Sequence, residues 1–289
     1  AVVRAMRDGQ NGYTPAAGVW RVREAVAASY CASGLSIGPE RVVLTSGTSE
    51  GIELALSVLV NTGDEVLLPV PTYPFYTATL TKLGARGVFY RTDAANQWLP
   101  DLDHIRSLIG PATRALVVID PNNPTGAVYS TQTRRALIEL ADAHGLVVLA
   151  DEVYADLAYD APVQPIATLN PDAPVISFSS ISKAYQAPGW RAGWLAVSGG
   201  DRLDAVLGAI NELADGRLCS AGPMQFAIEA ALTGHDDHKA TFVHALRERA
   251  EVTARRLNDI EGISCVPPRA AFYAMPKVDL PPGRTDQDY

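Results

Sequence analysis

Several features that define other classes of protein are scarce or missing in this 289-residue sequence. No apolar run approaches the 18 or so residues that a transmembrane helix needs. The net charge is −8, and no block of basic residues is present, which argues against nucleic-acid binding. The cysteines are odd in number and lack metal-ligand spacing, so we expect reduced thiols, no bound metal and a cytosolic location. They are Cys31, Cys219 and Cys265.

Lysine is also scarce, and one of the few lysines stands apart. The lysines are Lys82, Lys183, Lys239 and Lys277. Lys183 follows the apolar stretch 175–178, lies among the hydroxyls of Ser180 and Ser182, and precedes Arg191 by eight residues. A lysine amine forms Schiff bases with carbonyl compounds, and a guanidinium with nearby hydroxyls binds phosphate. Pyridoxal 5′-phosphate (PLP) is an aldehyde that carries a phosphate, so this pattern favours PLP over an ordinary surface charge.

Helical and strand patterns alternate along a chain of ordinary globular composition, 47% hydrophobic and 19% charged. Residues 115–119 and 146–150 are continuous apolar runs, typical of strands covered on both faces, and a predicted helix at 131–144 joins them as a βαβ unit. We therefore predict an α/β fold with a mostly parallel, doubly wound central sheet and helices on both faces. The other predicted helices are at 19–32, 50–60, 203–213, 224–232 and 238–257, with one more after the turn at 71–74. The other predicted strands are at 41–45, 65–69, 263–266 and 271–273, with one more just before residues 180–183.

Turns rich in polar side chains follow the predicted strands, where ligands bind in sheets of this kind. The turn 46–49 lies between a strand and a helix. Backbone N–H groups and the positive end of the dipole at a helix start suit a phosphate, which would contact Gly47, Thr48 and Ser49. Simple capping of the helix by Thr48 or Ser49 is the alternative.

Other turns supply the remaining groups that bound PLP requires. Asp151 ends a buried strand, where an anion is costly unless it is paired, and a protonated ring nitrogen would pair with it. Tyr154 and Asn123 are placed to reach the ring hydroxyl, and Tyr73 is placed to stack on the ring. Taken singly, Asp151 and Asn123 are also explained by turn formation, and Tyr73 by packing in the core.

These motifs occur in the order and spacing of the class I/II aminotransferases, which the chain resembles over nearly its whole length. The motifs are residues 45–47, 71–74, 123–126, 151–154, 180–183 and 191–193. The resemblance implies a fold-type I, PLP-dependent enzyme in which Lys183, Asp151 and Tyr73 form the catalytic set. Within the family the chain is most similar to the alanine aminotransferases, through residues 120–129, 217–219, 262–266 and 276–279. That implies amino-group transfer between an L-amino acid, alanine or glutamate, and a 2-oxo acid, pyruvate or 2-oxoglutarate.

The resemblance also implies a homodimer with shared active sites. Tyr13 matches the tyrosine that reaches the phosphate of the partner subunit, with a plain loop aromatic as the alternative. Arg217, together with Asn123, is expected to bind substrate; Arg217 would read a distal carboxylate in the neighbouring site, unless it is a structural interface residue.

The chain is expected to divide into an N-terminal interface segment (1–17), a large PLP-binding domain (18–255) and the incomplete beginning of a small C-terminal domain (256–289). The arginine that the family uses for the substrate α-carboxylate has no match in the sequence. We therefore expect a longer polypeptide, and expect these residues alone to bind PLP better than they turn over amino acids.

Other functions remain open at this point. A PLP-dependent C–S β-lyase, or an aminotransferase of other specificity, would share the residues around the cofactor. A non-catalytic PLP-binding sensor would need an additional DNA-binding domain. A nucleotide-binding domain is disfavoured, because no Gly-x-Gly-x-x-Gly sequence follows the first strand.

Overall fold

The computed structural model describes residues 1–235, 237–285 and 287. The strands are β1 (Val42–Thr45), β2 (Glu65–Val70), β3 (Arg86–Asp93), β4 (Leu99–Pro100), β5 (Thr113–Ile119), β6 (Val147–Asp151), β7 (Val175–Ser180), β8 (Gly193–Val197), β9 (Ile263–Cys265) and β10 (Pro276–Val278). The helices are α1 (Val2–Arg7), α2 (Trp20–Ala32), α3 (Thr48–Leu59), α4 (Pro74–Leu83), α5 (Leu102–Leu108), α6 (Thr131–Ala143), α7 (Asp204–Gly216), α8 (Gly222–Thr233) and α9 (Asp237–Asn258). In these described ranges, no helix combines the length and apolar character needed to cross a bilayer.

The central sheet has eight strands in the order β1-β8-β7-β6-β5-β2-β3-β4. Strands β3, β2, β5, β6 and β7 form a parallel series. Strand β8 is antiparallel to both β1 and β7, so β1 runs in the same direction as β7. The carboxyl ends of β1, β2, β5, β6 and β7 therefore meet at one edge. This confirms the predicted mostly parallel sheet, although β3, β4 and β8 were not among the predicted strands.

Two hydrophobic cores lie on opposite faces of the sheet, and the alternation of side chains along each strand separates them. In β5, Leu116 and Val118 pack into the core that contains residues of α2, α6 and α8. Their neighbours Val117 and Ile119 pack into the core that contains residues of α3, α4 and α7. Covering on both faces explains why these strands read as continuous apolar runs.

The predicted strand at 271–273 is wrong. Ala271 has a φ of 60° and begins a turn, and an extended strand does not accommodate that backbone conformation. The second strand of the small sheet is instead β10, which pairs antiparallel with β9. Helix α9 extends to Asn258, past the predicted domain boundary at residue 255, and the predicted division into domains stays a prediction.

Candidate active site

A cavity of about 200 Å³ opens at the carboxyl edge of the sheet. Its lining residues are Thr48, Ser49, Tyr73, Asn123, Asp151, Val153, Tyr154, Ser180, Ser182, Lys183, Pro188, Arg191 and Tyr273. The structure therefore brings together all of the residues proposed from the sequence except Gly47, Tyr13 and Arg217. The turns that carry them follow β1, β2, β5, β6 and β7, and sheet topology alone places these turns side by side.

Lys183 lies in the turn after β7, with its amine directed into this cavity. The Nζ atom is 5.6 Å from the ring centres of both Tyr154 and Phe272. Burial lowers the pKa of Lys183 below its ordinary value; Asp151 opposes this shift, and Arg191 adds to it. A lowered pKa increases the uncharged fraction of the amine, which is the form that attacks a carbonyl carbon.

Asp151 ends β6 and is 4% exposed. Its Oδ2 accepts a hydrogen bond from the Tyr76 hydroxyl at 3.4 Å, while Oδ1 is buried without a hydrogen-bond partner in the described chain. Burial raises the pKa of Asp151 to about 6. An unsatisfied buried carboxylate oxygen that borders a cavity suits a cationic N–H donor, such as a protonated pyridine nitrogen.

The turn between β1 and α3 forms a second polar end of the cavity. Gly47 adopts a φ of 84°, and the Thr48 hydroxyl oxygen is buried without a hydrogen-bond partner among the described residues. Arg191 Nη2 donates to the carbonyl of Ser46 at 3.1 Å. A Cβ atom on Gly47 would lie 2.7 Å from Arg191 Cζ, so only glycine leaves room for the guanidinium. A guanidinium, a hydroxyl and a helix start fit a phosphate.

Aromatic side chains enclose the lysine from the side of the 271–273 turn. The hydroxyls of Tyr154 and Tyr273 are 2.6 Å apart, and the ring of Phe272 meets that of Tyr154 edge to face, with centres 5.6 Å apart. Burial raises the pKa of Tyr154, and the Tyr273 hydroxyl adds to the shift. Tyr154 therefore stays protonated as a donor near neutral pH.

Tyr76, Phe272 and Tyr273 lie at the site but were not predicted from the sequence. Tyr76 is in a helix, and its spacing there is the same as that of an ordinary core residue. Phe272 and Tyr273 were assigned to a strand, although the Pro267-Pro268 pair just before them signals a turn.

Three residues proposed from the sequence lie outside the lining of this cavity: Gly47, in the turn beside it, Tyr13 and Arg217. Tyr13 is 84% exposed. Arg217 forms an ion pair with Glu50, with 2.7 Å between Nε and Oε1, and donates to the carbonyls of Ala16 and Leu44. The roles expected for Tyr13 and Arg217 involve a neighbouring subunit, and they stay predictions.

An open α/β sheet with a lysine, a buried carboxylate and a polar turn at a helix start along one edge has the groups suited to an enzyme with a phosphorylated aldehyde cofactor. Residues 1–284 match the sequence model of the family Aminotransferase class I and II, and the chain belongs to this family. It is a PLP-dependent aminotransferase, which moves an amino group between an amino acid and a 2-oxo acid.

Similar proteins within the family include alanine and glutamate-pyruvate aminotransferases. The glutamate-pyruvate aminotransferase AlaA of Escherichia coli (strain K12) is 38% identical over 283 residues, covering 96% of this chain and 70% of AlaA. The alanine aminotransferase of Mycobacterium tuberculosis (strain H37Rv) is 39% identical over 284 residues, covering 96% of this chain and 66% of that enzyme. The chain thus spans about two thirds of the length of these two relatives.

Solved structures agree with the sequence comparison. An alanine aminotransferase from Pyrococcus furiosus superposes with a TM-score of 0.96 at 36% identity, covering 99% of this chain and 73% of that one. The aspartate aminotransferase of Thermus thermophilus with maleate gives a TM-score of 0.87 at 29% identity, covering 95% of this chain and 72% of that one. Both confirm the fold-type I architecture.

Proposed function

We propose that this aminotransferase exchanges an amino group between alanine or glutamate and pyruvate or 2-oxoglutarate. The aminotransferases that it resembles carry alanine, glutamate and pyruvate in their names, and 2-oxoglutarate is the 2-oxo acid that corresponds to glutamate. The residues that support the reaction itself line the cavity around Lys183, and they include groups suited to the aldehyde, the ring and the phosphate of PLP.

In this proposal, different residues contact the aldehyde, the ring and the phosphate of the cofactor. Lys183 holds the aldehyde covalently, and Asp151 accepts a hydrogen bond from the ring nitrogen. Tyr154 and Asn123 contact the ring hydroxyl, and Tyr73 stacks on the ring. Gly47, Thr48, Ser49, Ser180, Ser182 and Arg191 surround the phosphate, and Tyr13 of one subunit completes this cradle in its partner.

PLP, when bound, supplies a conjugated ring that takes up the electron pair released at the substrate α-carbon. Lys183 would be the group that moves the proton once the substrate amine has replaced it on the aldehyde carbon. Its lowered pKa favours a free amine that could accept a proton from the α-carbon and donate it to the cofactor carbon that carried the aldehyde. Asp151 keeps the proton on the ring nitrogen. The Phe272 ring lies beside the amine, with its centre 5.6 Å from Lys183 Nζ.

The observation that carries this proposal is the position of Lys183, which shares one cavity with the buried Asp151 and with Thr48 and Ser49 of the turn at the start of α3. Borohydride reduction of the purified protein with PLP should attach a pyridoxyl group to the Lys183 peptide. Lys239 is the matched control: it is also partly buried, but its hydrogen bond to Asp156 helps raise its pKa above the ordinary value, so it should stay unlabelled. Label on Lys239, or none on Lys183, would refute the assignment.

Substrate choice needs a separate assay, because a C–S β-lyase would share the same cofactor contacts. Alanine with 2-oxoglutarate should yield pyruvate and glutamate, while cystathionine should yield no pyruvate. Formation of pyruvate from cystathionine, without reaction of alanine and 2-oxoglutarate, would favour the lyase. The homodimer and the cytosolic location expected from the sequence are part of this proposal; analytical ultracentrifugation of the purified enzyme tests the dimer.

A further inference from the structure

Glu50 lies in the first turn of α3 and reaches back to the turn that precedes the helix. Its Oε2 accepts a hydrogen bond from the backbone N–H of Ser46 at 2.6 Å. The arrangement resembles a capping box, in which a glutamate at the third helical position binds a backbone N–H just ahead of the helix. Since Arg191 Nη2 binds the carbonyl of the same Ser46, side chains hold both backbone groups of this residue.

Arg217 holds the other oxygen of Glu50. Its Nε is 2.7 Å from Glu50 Oε1, Nη2 donates to the carbonyl of Leu44 at 2.8 Å, and Nη1 donates to the carbonyl of Ala16 at 3.2 Å. The side chains of Arg217 and Glu50 are 19% and 22% exposed. Arg217 therefore connects the end of α7, the end of β1 and the N-terminal segment to the turn after β1.

The charges of this pair bear on phosphate binding. A carboxylate in the first turn of α3 lies close to where the phosphate would sit, and two negative charges at such a distance repel each other. Arg217 neutralises the carboxylate in a partly buried setting, where solvent screens the charge less than at a free surface. With Arg217 in place, Glu50 fixes the backbone without opposing an anion.

We propose that Glu50 and Arg217 are a positioning pair: Glu50 holds residues 46–48 in the shape that binds the cofactor phosphate, and Arg217 neutralises the Glu50 carboxylate beside that turn. Neither residue lines the Lys183 cavity, so neither touches the ring. This inference rests on the proposed function, because it takes PLP as the ligand, and it gives Arg217 a role different from reading a substrate carboxylate.

The test compares two ligands that differ only in the phosphate. The purified protein is freed of cofactor and titrated separately with PLP and with pyridoxal. The dissociation constant of pyridoxal divided by that of PLP measures the contribution of the phosphate to binding. Glu50→Ala should reduce this ratio about tenfold, the effect of losing one charge-assisted hydrogen bond. Glu50→Gln keeps an acceptor for the Ser46 N–H and should restore most of the loss.

Arg217 is tested in the same way. Arg217→Met leaves an uncompensated carboxylate near the phosphate and should also lower the ratio about tenfold. Adding Glu50→Gln to this variant removes that charge and should recover part of the loss. Glu53→Ala is the matched control, because Glu53 lies in the same helix and pairs with Lys82 away from the turn; its ratio should equal that of the wild type.

The outcomes separate the two proposals. Both ligands are measured on one preparation, so a reduced folded fraction cancels in the ratio. A wild type that binds PLP no better than pyridoxal would refute the cofactor assignment itself. A wild type that prefers PLP, with the same preference in Glu50→Ala, would overturn the positioning pair. An unchanged ratio in Arg217→Met, with a raised KM for 2-oxoglutarate but not for pyruvate, would assign Arg217 to substrate binding instead.

Discussion

Replacement of Gly47 by alanine tests how the phosphate-binding turn is built. Gly47 has φ 84° and ψ 170°, a region that is essentially restricted to glycine and costs other residues about 1–3 kcal/mol. The added Cβ would also lie 2.7 Å from Arg191 Cζ. Backbone strain and a steric conflict therefore act at the same position.

The steric conflict should be relieved by movement of Arg191, because its guanidinium is the far end of a flexible side chain. That movement gives up the hydrogen bond to Ser46, worth about 1 kcal/mol. The expected total loss in the free energy of unfolding is about 2–4 kcal/mol. The effect on cofactor binding should be the more specific one: loss of the guanidinium should weaken PLP binding about 10–100-fold.

Gly63→Ala provides the control. Gly63 has a similar φ of 89°, but a Cβ there meets no atom within 4 Å. Its cost should be limited to backbone strain, about 1–2 kcal/mol by urea unfolding, with PLP affinity unchanged in an absorbance titration. If Gly47→Ala binds PLP as tightly as Gly63→Ala does, Arg191 is not held in place for the phosphate and the reasoning fails.

Two other substitutions test buried charges. Burial raises the pKa of Glu152 to about 7, from an ordinary value of 4.5. Its protonated form therefore stabilises the fold fully at low pH, and this stability is lost as the pH rises through 7. Relative to wild type, Glu152→Gln should gain up to about 3 kcal/mol in unfolding free energy between about pH 5 and pH 8; a gain independent of pH would contradict this. Arg134→Leu should cost about 3–5 kcal/mol, because it strips the buried Asp120 of its ion pair at 3.0 Å. Exposed Arg135→Ala should cost under about 0.5 kcal/mol, and equal losses would contradict the reasoning.

Strands that are covered on both faces were predictable from the sequence, because burial on both faces requires consecutive apolar residues. Strands β5 and β6 read as unbroken apolar runs, and the polar residues just after them were correctly placed at one edge. Strand β8 carries a similar apolar run, Trp194–Val197, but its antiparallel direction follows from pairing with β1 and β7. The pairing with β1 joins residues more than 100 positions apart in the chain, as the Val42–Ala196 register shows, whereas β7 pairs with β8 across one loop, with Ser180 opposite Gly193.

Side-chain contacts between distant elements could not be predicted in the same way. Tyr76 reaches Asp151 because α4 packs with a particular rotation against the sheet, and the helical pattern sets only its buried face. The 271–273 segment was mistaken for a strand because its aromatic residues favour strands, whereas the positive φ of Ala271 is imposed by its surroundings. The Ala271 N–H, for example, binds the carbonyl of Leu157.

Strands β7 and β8 form a single hairpin whose connecting loop, residues 181–192, carries both Lys183 and Arg191. The two ends of this loop lie side by side, because Ser180 and Gly193 are paired in the antiparallel ladder. The length of one loop therefore limits the span between Lys183 and the Arg191 guanidinium, which is held at its far end by the Ser46 carbonyl. Insertion or deletion of even one residue between them would mismatch that span to a rigid cofactor, so we expect loop length here to be more restrictive than side-chain identity.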